Sequence, residues 1–112
     1  MSITPPDTLQ EPLLVLVSCP PDAAERLAAA VVERRLAACA SIVPQLRSVY
    51  RWKDAVVRDD EALLLIKTTA AAFEAVRAAV VELHPYELPE VLAVPVALGH
   101  LPYLQWISQC VA

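Results

Sequence analysis

Hydrophobic and polar positions change period several times along the chain, and each change marks an element. Leu13-Leu14-Val15-Leu16-Val17 is a continuous apolar run bounded by prolines, which predicts a strand buried on both faces. Ser18, Cys19, Pro20 and Pro21 stop it. Leu27, Val31 and Val32, with Ala24 and Ala28, then form one stripe at helical spacing. Glu25, Arg26, Glu33 and Arg34 face the other way, so an amphipathic helix should run to about Leu36. Asp22 and Glu25 have the spacing of a capping box, with Asp22 at the N-cap.

From Cys39 the pattern becomes extended, and Ser48-Val49-Tyr50-Arg51-Trp52 alternates in type. Lys53-Asp54-Ala55 reads as a turn without the glycine that tight hairpins favour. Val56 to Ile66 has a charged start (Arg58, Asp59, Asp60, Glu61) and an apolar finish (Leu63 to Ile66). The two segments predict a long hairpin with a solvated tip and a base in the core. Lys67-Thr68-Thr69 ends it, and a threonine there can cap the next helix. Phe73, Val76, Val80 and Leu83 step at helical spacing with Glu74, Arg77 and Glu82 outside. Pro85 closes that helix, and Val91 to Leu98 predicts a strand in which Pro95 demands an edge or a bulge. Gly99 marks the exit, and Pro102 to Ile107 is a short last helix, with Leu101, Leu104 and Ile107 on one side. The order β-α-β-β-α-β plus a terminal helix is the split βαβ, or ferredoxin-like, arrangement of the α+β class. Residues 1–12, polar and broken by Pro5, Pro6 and Pro12, read as a flexible leader to a domain over residues 13–112.

At 112 residues the chain suits one core. Hydrophobic residues make up 57% and charged residues 20%, more apolar surface than one small core hides, so burial in an oligomer is expected. A net charge of −4 with scattered basic residues argues against nucleic acid and against an anionic membrane surface. No apolar run approaches the ~20 residues of a membrane helix, and the first twelve residues lack a signal peptide's composition. Cys19, Cys39 and Cys110 are odd in number and widely spaced, which suits a reducing cytoplasm.

The stretch His84-Pro85-Tyr86-Glu87-Leu88-Pro89-Glu90 concentrates the candidate chemistry. Two prolines stiffen a corner that carries an imidazole, a phenol and two carboxylates. His84 should close the helix, and Leu88 should begin an extended run. The corner is either a ligand site or a helix-to-strand connector.

Several of these blocks resemble the CutA family, named for divalent cation tolerance. The matching blocks are Leu36-Ala37-Ala38-Cys39-Ala40 with Ile42-Val43-Pro44, Ser48-Val49-Tyr50-Arg51-Trp52, Leu65-Ile66-Lys67-Thr68-Thr69, the His84–Glu90 corner, Pro95-Val96, and Tyr103-Leu104-Gln105-Trp106. The resemblance implies a PII-like trimer of ferredoxin-like subunits with the long hairpin crossing to neighbours. It also implies a role in tolerance of copper and other divalent cations. Ser18 stands where some relatives have a cysteine, with Cys19 one step on, and Leu83 replaces the first of two adjacent histidines.

His84 and Cys19 are therefore the candidate metal ligands, for Cu(II) or another divalent cation, with Glu87 and Glu90 as supports. The plainer reading makes His84 a helix C-terminal cap and Cys19 a small loop residue. Lys67, Tyr86, Glu87 and Glu90 are the candidate small-molecule site, with Lys67 pairing with a corner carboxylate or a ligand anion. Tyr50, Trp52, Tyr103 and Trp106 either line a cleft between subunits or pack an interface. With one glycine there is no phosphate-cradling loop, and no catalytic motif or organic cofactor is expected. The expected function is a non-enzymatic trimeric metal-tolerance protein. The alternatives are a PII-like small-molecule sensor and a trimer that docks a protein partner.

Overall fold

In the computed structural model, which describes residues 10–112, the chain passes through β1 (Pro12–Cys19), α1 (Ala24–Glu33), β2 (Cys39–Trp52), β3 (Ala55–Thr69), α2 (Phe73–Leu83), β4 (Leu92–Pro95) and α3 (Leu101–Cys110). Of the leader expected over residues 1–12, positions 1–9 lie outside the described residues. The strands form an antiparallel sheet in the order β2-β3-β1-β4, the ferredoxin-like arrangement, with the extra terminal helix.

The period-two pattern decides which face is core. Val15, Val17 and Cys19 of β1 and Leu64 and Ile66 of β3 turn toward the helices. There they meet Leu27, Ala28 and Val31 of α1 and Val76 and Val80 of α2 in one buried cluster. Each aliphatic side chain taken fully out of water contributes about 1.5–3 kcal/mol. The opposite face is different. Leu14, Leu16, Leu63 and Leu65 are only half-buried, and Leu92 and Val94 are 57% and 43% exposed. So β1, expected to be buried on both faces, is buried on one, because a single subunit leaves its second sheet face partly open.

Several local expectations shift. Asp22 does not cap α1: Pro20-Pro21 open a 3-10 turn (Pro21–Ala23) that runs into the helix, and neither N-cap makes a side-chain hydrogen bond. Proline at the first helical position has no N–H to satisfy, and Asp22 inside the first turn still complements the positive helix end. At its other end α1 closes with Arg35 at φ 60, while the Leu36 N–H donates to the Val31 carbonyl at 2.9 Å and the Arg35 N–H to Val32 at 3.0 Å. This is a Schellman motif with an arginine in the left-handed position that glycine normally takes.

Thr69 does not cap α2 either; the fully buried Thr68 hydroxyl donates to the Leu36 carbonyl at 2.6 Å. The strand expected over residues 91–98 is confined to Leu92–Pro95, and Pro95 ends an edge strand, as its missing N–H requires. No extended run begins at Leu88. The last helix is longer than expected, reaching Cys110, and buries Ile107.

The hairpin gives the molecule its length, 53 × 27 × 24 Å. Lys53 and Asp54 form its turn at φ 50 and 68, both positive as a type I′ turn demands, without glycine. Pairing of β3 with β1 stops at Cys19↔Ala62, so beyond that point β2 and β3 continue as a two-stranded ribbon.

Candidate functional site

A bulge in β2 decides what the ribbon displays. Val43 pairs with Leu63 and Leu46 with Glu61, so Pro44 and Gln45, the latter at φ 60, oppose Ala62 alone. Proline belongs at such a break because it cannot donate to the ladder. One extra residue inverts the alternation of everything beyond it. Ser48 therefore opposes Asp59 and Tyr50 opposes Val57, on the face that also carries Glu61. Without the bulge, Tyr50 and Trp52 would point the other way.

The corner after α2 meets this face from the side. The His84 N–H donates to the Val80 carbonyl at 2.8 Å, and His84 then turns extended (ψ 137), as a residue before proline should. The imidazole is buried. Its Nε2 donates to the Ser18 carbonyl at 2.8 Å, and its Nδ1 accepts the Tyr86 N–H at 3.1 Å. This pattern assigns the ring proton to Nε2 and occupies both nitrogens, so His84 clamps the corner to the end of β1.

Tyr86, whose ring centroid lies 4.7 Å from that of His84, donates its hydroxyl to Glu61 Oε2 at 2.8 Å. Burial, and then the bond to Glu61, push the Tyr86 phenol well above its ordinary value. Tyr50 donates to Asp59, and that hydrogen bond raises its pKa too. Ser18 Oγ makes a long contact of 3.4 Å to Glu90.

The result is an open cleft of about 740 Å³ between hairpin tip and corner. Of the candidates from the sequence, Tyr50, Trp52, Tyr86, Glu87 and Glu90 line it together. Lys67 does not. It opposes Leu14 and Cys39, whereas the corner meets β1 at Ser18, four residues or roughly 13 Å further along. Its Nζ donates to Ser41 Oγ at 2.6 Å and lies 3.7 Å from Cys39 Sγ. Tyr103 and Trp106 pack against each other on α3, 5.4 Å between ring centroids, and do not line the cleft.

Cys19 is likewise not presented to a ligand. It is the last residue of β1, fully buried on the helix side, and burial pushes its thiol pKa up. Among the described residues no three His, Cys, Asp or Glu side chains are grouped to hold one ion. Glu61 is the residue that the sequence pattern hid. It belongs to the charged run Arg58–Glu61, which reads as a solvated tip, yet it is only 4% exposed. Pro44 within a strand was the available signal of the bulge that reorganises its surroundings.

A family model described as CutA1 divalent ion tolerance protein matches residues 13–110. The divalent-cation tolerance protein CutA of Thermus thermophilus is 48% identical over 97 residues, covering 86% of this chain and 94% of the relative. Human protein CutA is 47% identical over 94 residues, 83% of this chain and 52% of the human chain, so about half of that longer protein is spanned. The solved Thermus structure superposes with a TM-score of 0.88 at 46% identity, over 90% of this chain and 99% of its own. The structure of the PII-like protein CutA from Nostoc in apo form gives 0.85 at 30% identity, over 89% and 97%.

Proposed function

Because the chain belongs to the CutA1 divalent ion tolerance family, we propose that it serves divalent-cation tolerance as a non-enzymatic homotrimer whose working site is the cleft between hairpin tip and corner. The observation that carries the site is the convergence of Glu61, Glu87 and Glu90 with the hairpin aromatics in one cleft. The exposed Glu87 and Glu90 carboxylates suit hard divalent cations, and they replace His84 and Cys19 as the donors an ion would meet. One subunit does not group three such donors, so a tightly held ion draws ligands from more than one chain.

The half-open apolar sheet face supports the trimer. Covering Leu92, Val94 and the half-buried leucines removes from water a surface too apolar to leave wet. A PII-like assembly around that face also sets the cleft beside a neighbouring subunit. The cytoplasm is the proposed compartment, since the three cysteines are unpaired. Nucleic acid, membrane and organic cofactor have no part in this reading.

Calorimetric titration with Cu(II) and Zn(II), on the parent and on a Glu87→Gln/Glu90→Gln double variant, tests the metal site. Saturable heat lost in the double variant supports it; equal heats in both forms sink it. The cleft volume favours a second reading, a PII-like sensor of a small molecule, because about 300–1,000 Å³ is the usual range for such ligands. Under that reading organic compounds raise the melting temperature by mass action while metal salts do not.

A further inference from the structure

Glu61 is a buried carboxylate that no cation among the described residues pairs with. Its Oε2 accepts the neutral Tyr86 hydroxyl. Its Oε1 accepts no hydrogen bond from the described residues, and since no fully buried side-chain oxygen there lacks a partner, Oε1 keeps some contact with solvent; Glu61 lines the cleft. The ion pairs among the described residues, Arg34–Glu82, Arg47–Asp60 and Arg77–Glu74, leave it out. Its charged neighbour along the same strand face, Asp59, is negative. Withdrawing a carboxylate from water without an opposite charge is costly, so this position has an unmet demand for a cation.

The walls say which kind. Tyr50, Trp52 and Tyr86 line the same cleft, and aromatic faces attract diffuse cations. The Trp52 ring already has the Lys53 ammonium 5.6 Å from its centroid. One accessible carboxylate oxygen beside a phenol is a poor cage for a metal ion and a good seat for an N–H donor. We propose that the cleft binds a small organic cation, a protonated amine seated on the Glu61 carboxylate against the rings of Tyr50 and Tyr86. Arg51 and Lys53, exposed at the hairpin tip, would favour an amine that also carries an anionic group. The inference shares the cleft with the function proposed above but does not rest on metal binding.

Benzylamine is the probe, titrated into the intact protein with EDTA present so that no metal response is read. Benzyl alcohol is its neutral isostere, and benzoate the anionic control. Benzylamine should give saturable heat and raise the melting temperature, and the other two should do neither. Glu61→Gln keeps an acceptor for Tyr86 and removes the charge; it should weaken benzylamine binding about tenfold or more. Equal binding of benzyl alcohol, no saturation below about 10 mM, or undiminished binding by Glu61→Gln would each overturn the proposal. If Glu61→Gln does not fold, the comparison of amine with alcohol on the parent protein decides alone. A basic side chain of a neighbouring copy already seated on Glu61 would show as no binding, and the proposal would fall.

Discussion

The Tyr86 hydroxyl donates to Glu61 Oε2 across 2.8 Å, and this bond joins the corner after α2 to the base of the ribbon. Burial and that bond hold the phenol protonated beyond its ordinary pKa of 10.0. A pKa raised by folding adds stability that is complete below the unfolded value and is lost as pH climbs toward the folded one. The melting temperature should therefore drop as pH rises above about 10. Tyr86→Phe should flatten that alkaline limb and cost about 1–3 kcal/mol at neutral pH, by leaving a buried carboxylate short of a donor. Thermal melts across a pH series check both, and an unchanged alkaline limb in Tyr86→Phe would refute the assignment.

Leu92 is 57% exposed on the open sheet face. In a solitary subunit Leu92→Lys should change stability by no more than about 0.5 kcal/mol. In a trimer that covers this face it buries a charge at each boundary, and light scattering should find smaller species at low protein concentration. An unchanged trimer mass would place the interface elsewhere, and a parent protein of single-chain mass would remove the trimer altogether.

His84 spends both ring nitrogens on the fold. His84→Ala should thus lower thermal stability, by about 2 kcal/mol for two lost hydrogen bonds. Any divalent-metal affinity should change by less than about threefold. A large loss of Cu(II) affinity in a protein that still melts normally would restore the imidazole as a ligand.

Arg35 holds φ 60 with its side chain exposed. Arg35→Gly removes the steric cost of that conformation and should stabilise the protein by about 1 kcal/mol, read as a higher denaturant midpoint with unchanged slope. A fall in the midpoint would mean that the arginine side chain contributes more than the strain costs.

What the sequence revealed depended on whether a signal was periodic. The helix stripes at Leu27-Val31 and Val76-Val80 repeat at the spacing of their buried face, and the order of elements followed from them. The edge position of Pro95 was legible because a missing N–H leaves few alternatives. A bulge has no period. Pro44 marks one, but only register shows that it turns Tyr50 and Trp52 onto the face that carries Glu61. Lys67 follows an apolar strand to an end where polar groups could meet a corner carboxylate, yet antiparallel pairing sets it beside Leu14, away from the corner at Ser18. The corner was recognisable as rigid, while its dual imidazole clamp depends on how close Ser18 comes, a long-range contact.

Beyond Glu61, among the described residues, each strand of the ribbon has the other as its neighbour and no third. Two strands by themselves are marginal in water. Backbone amides between Leu46 and Glu61 should then open and exchange with solvent deuterons far sooner than those of β1, dividing one continuous hairpin into a fraying outer span and a persistent inner one. Whatever rests on that outer span sets its opening rate, so deuterium uptake there becomes a gauge of company, rising on dilution if subunits part.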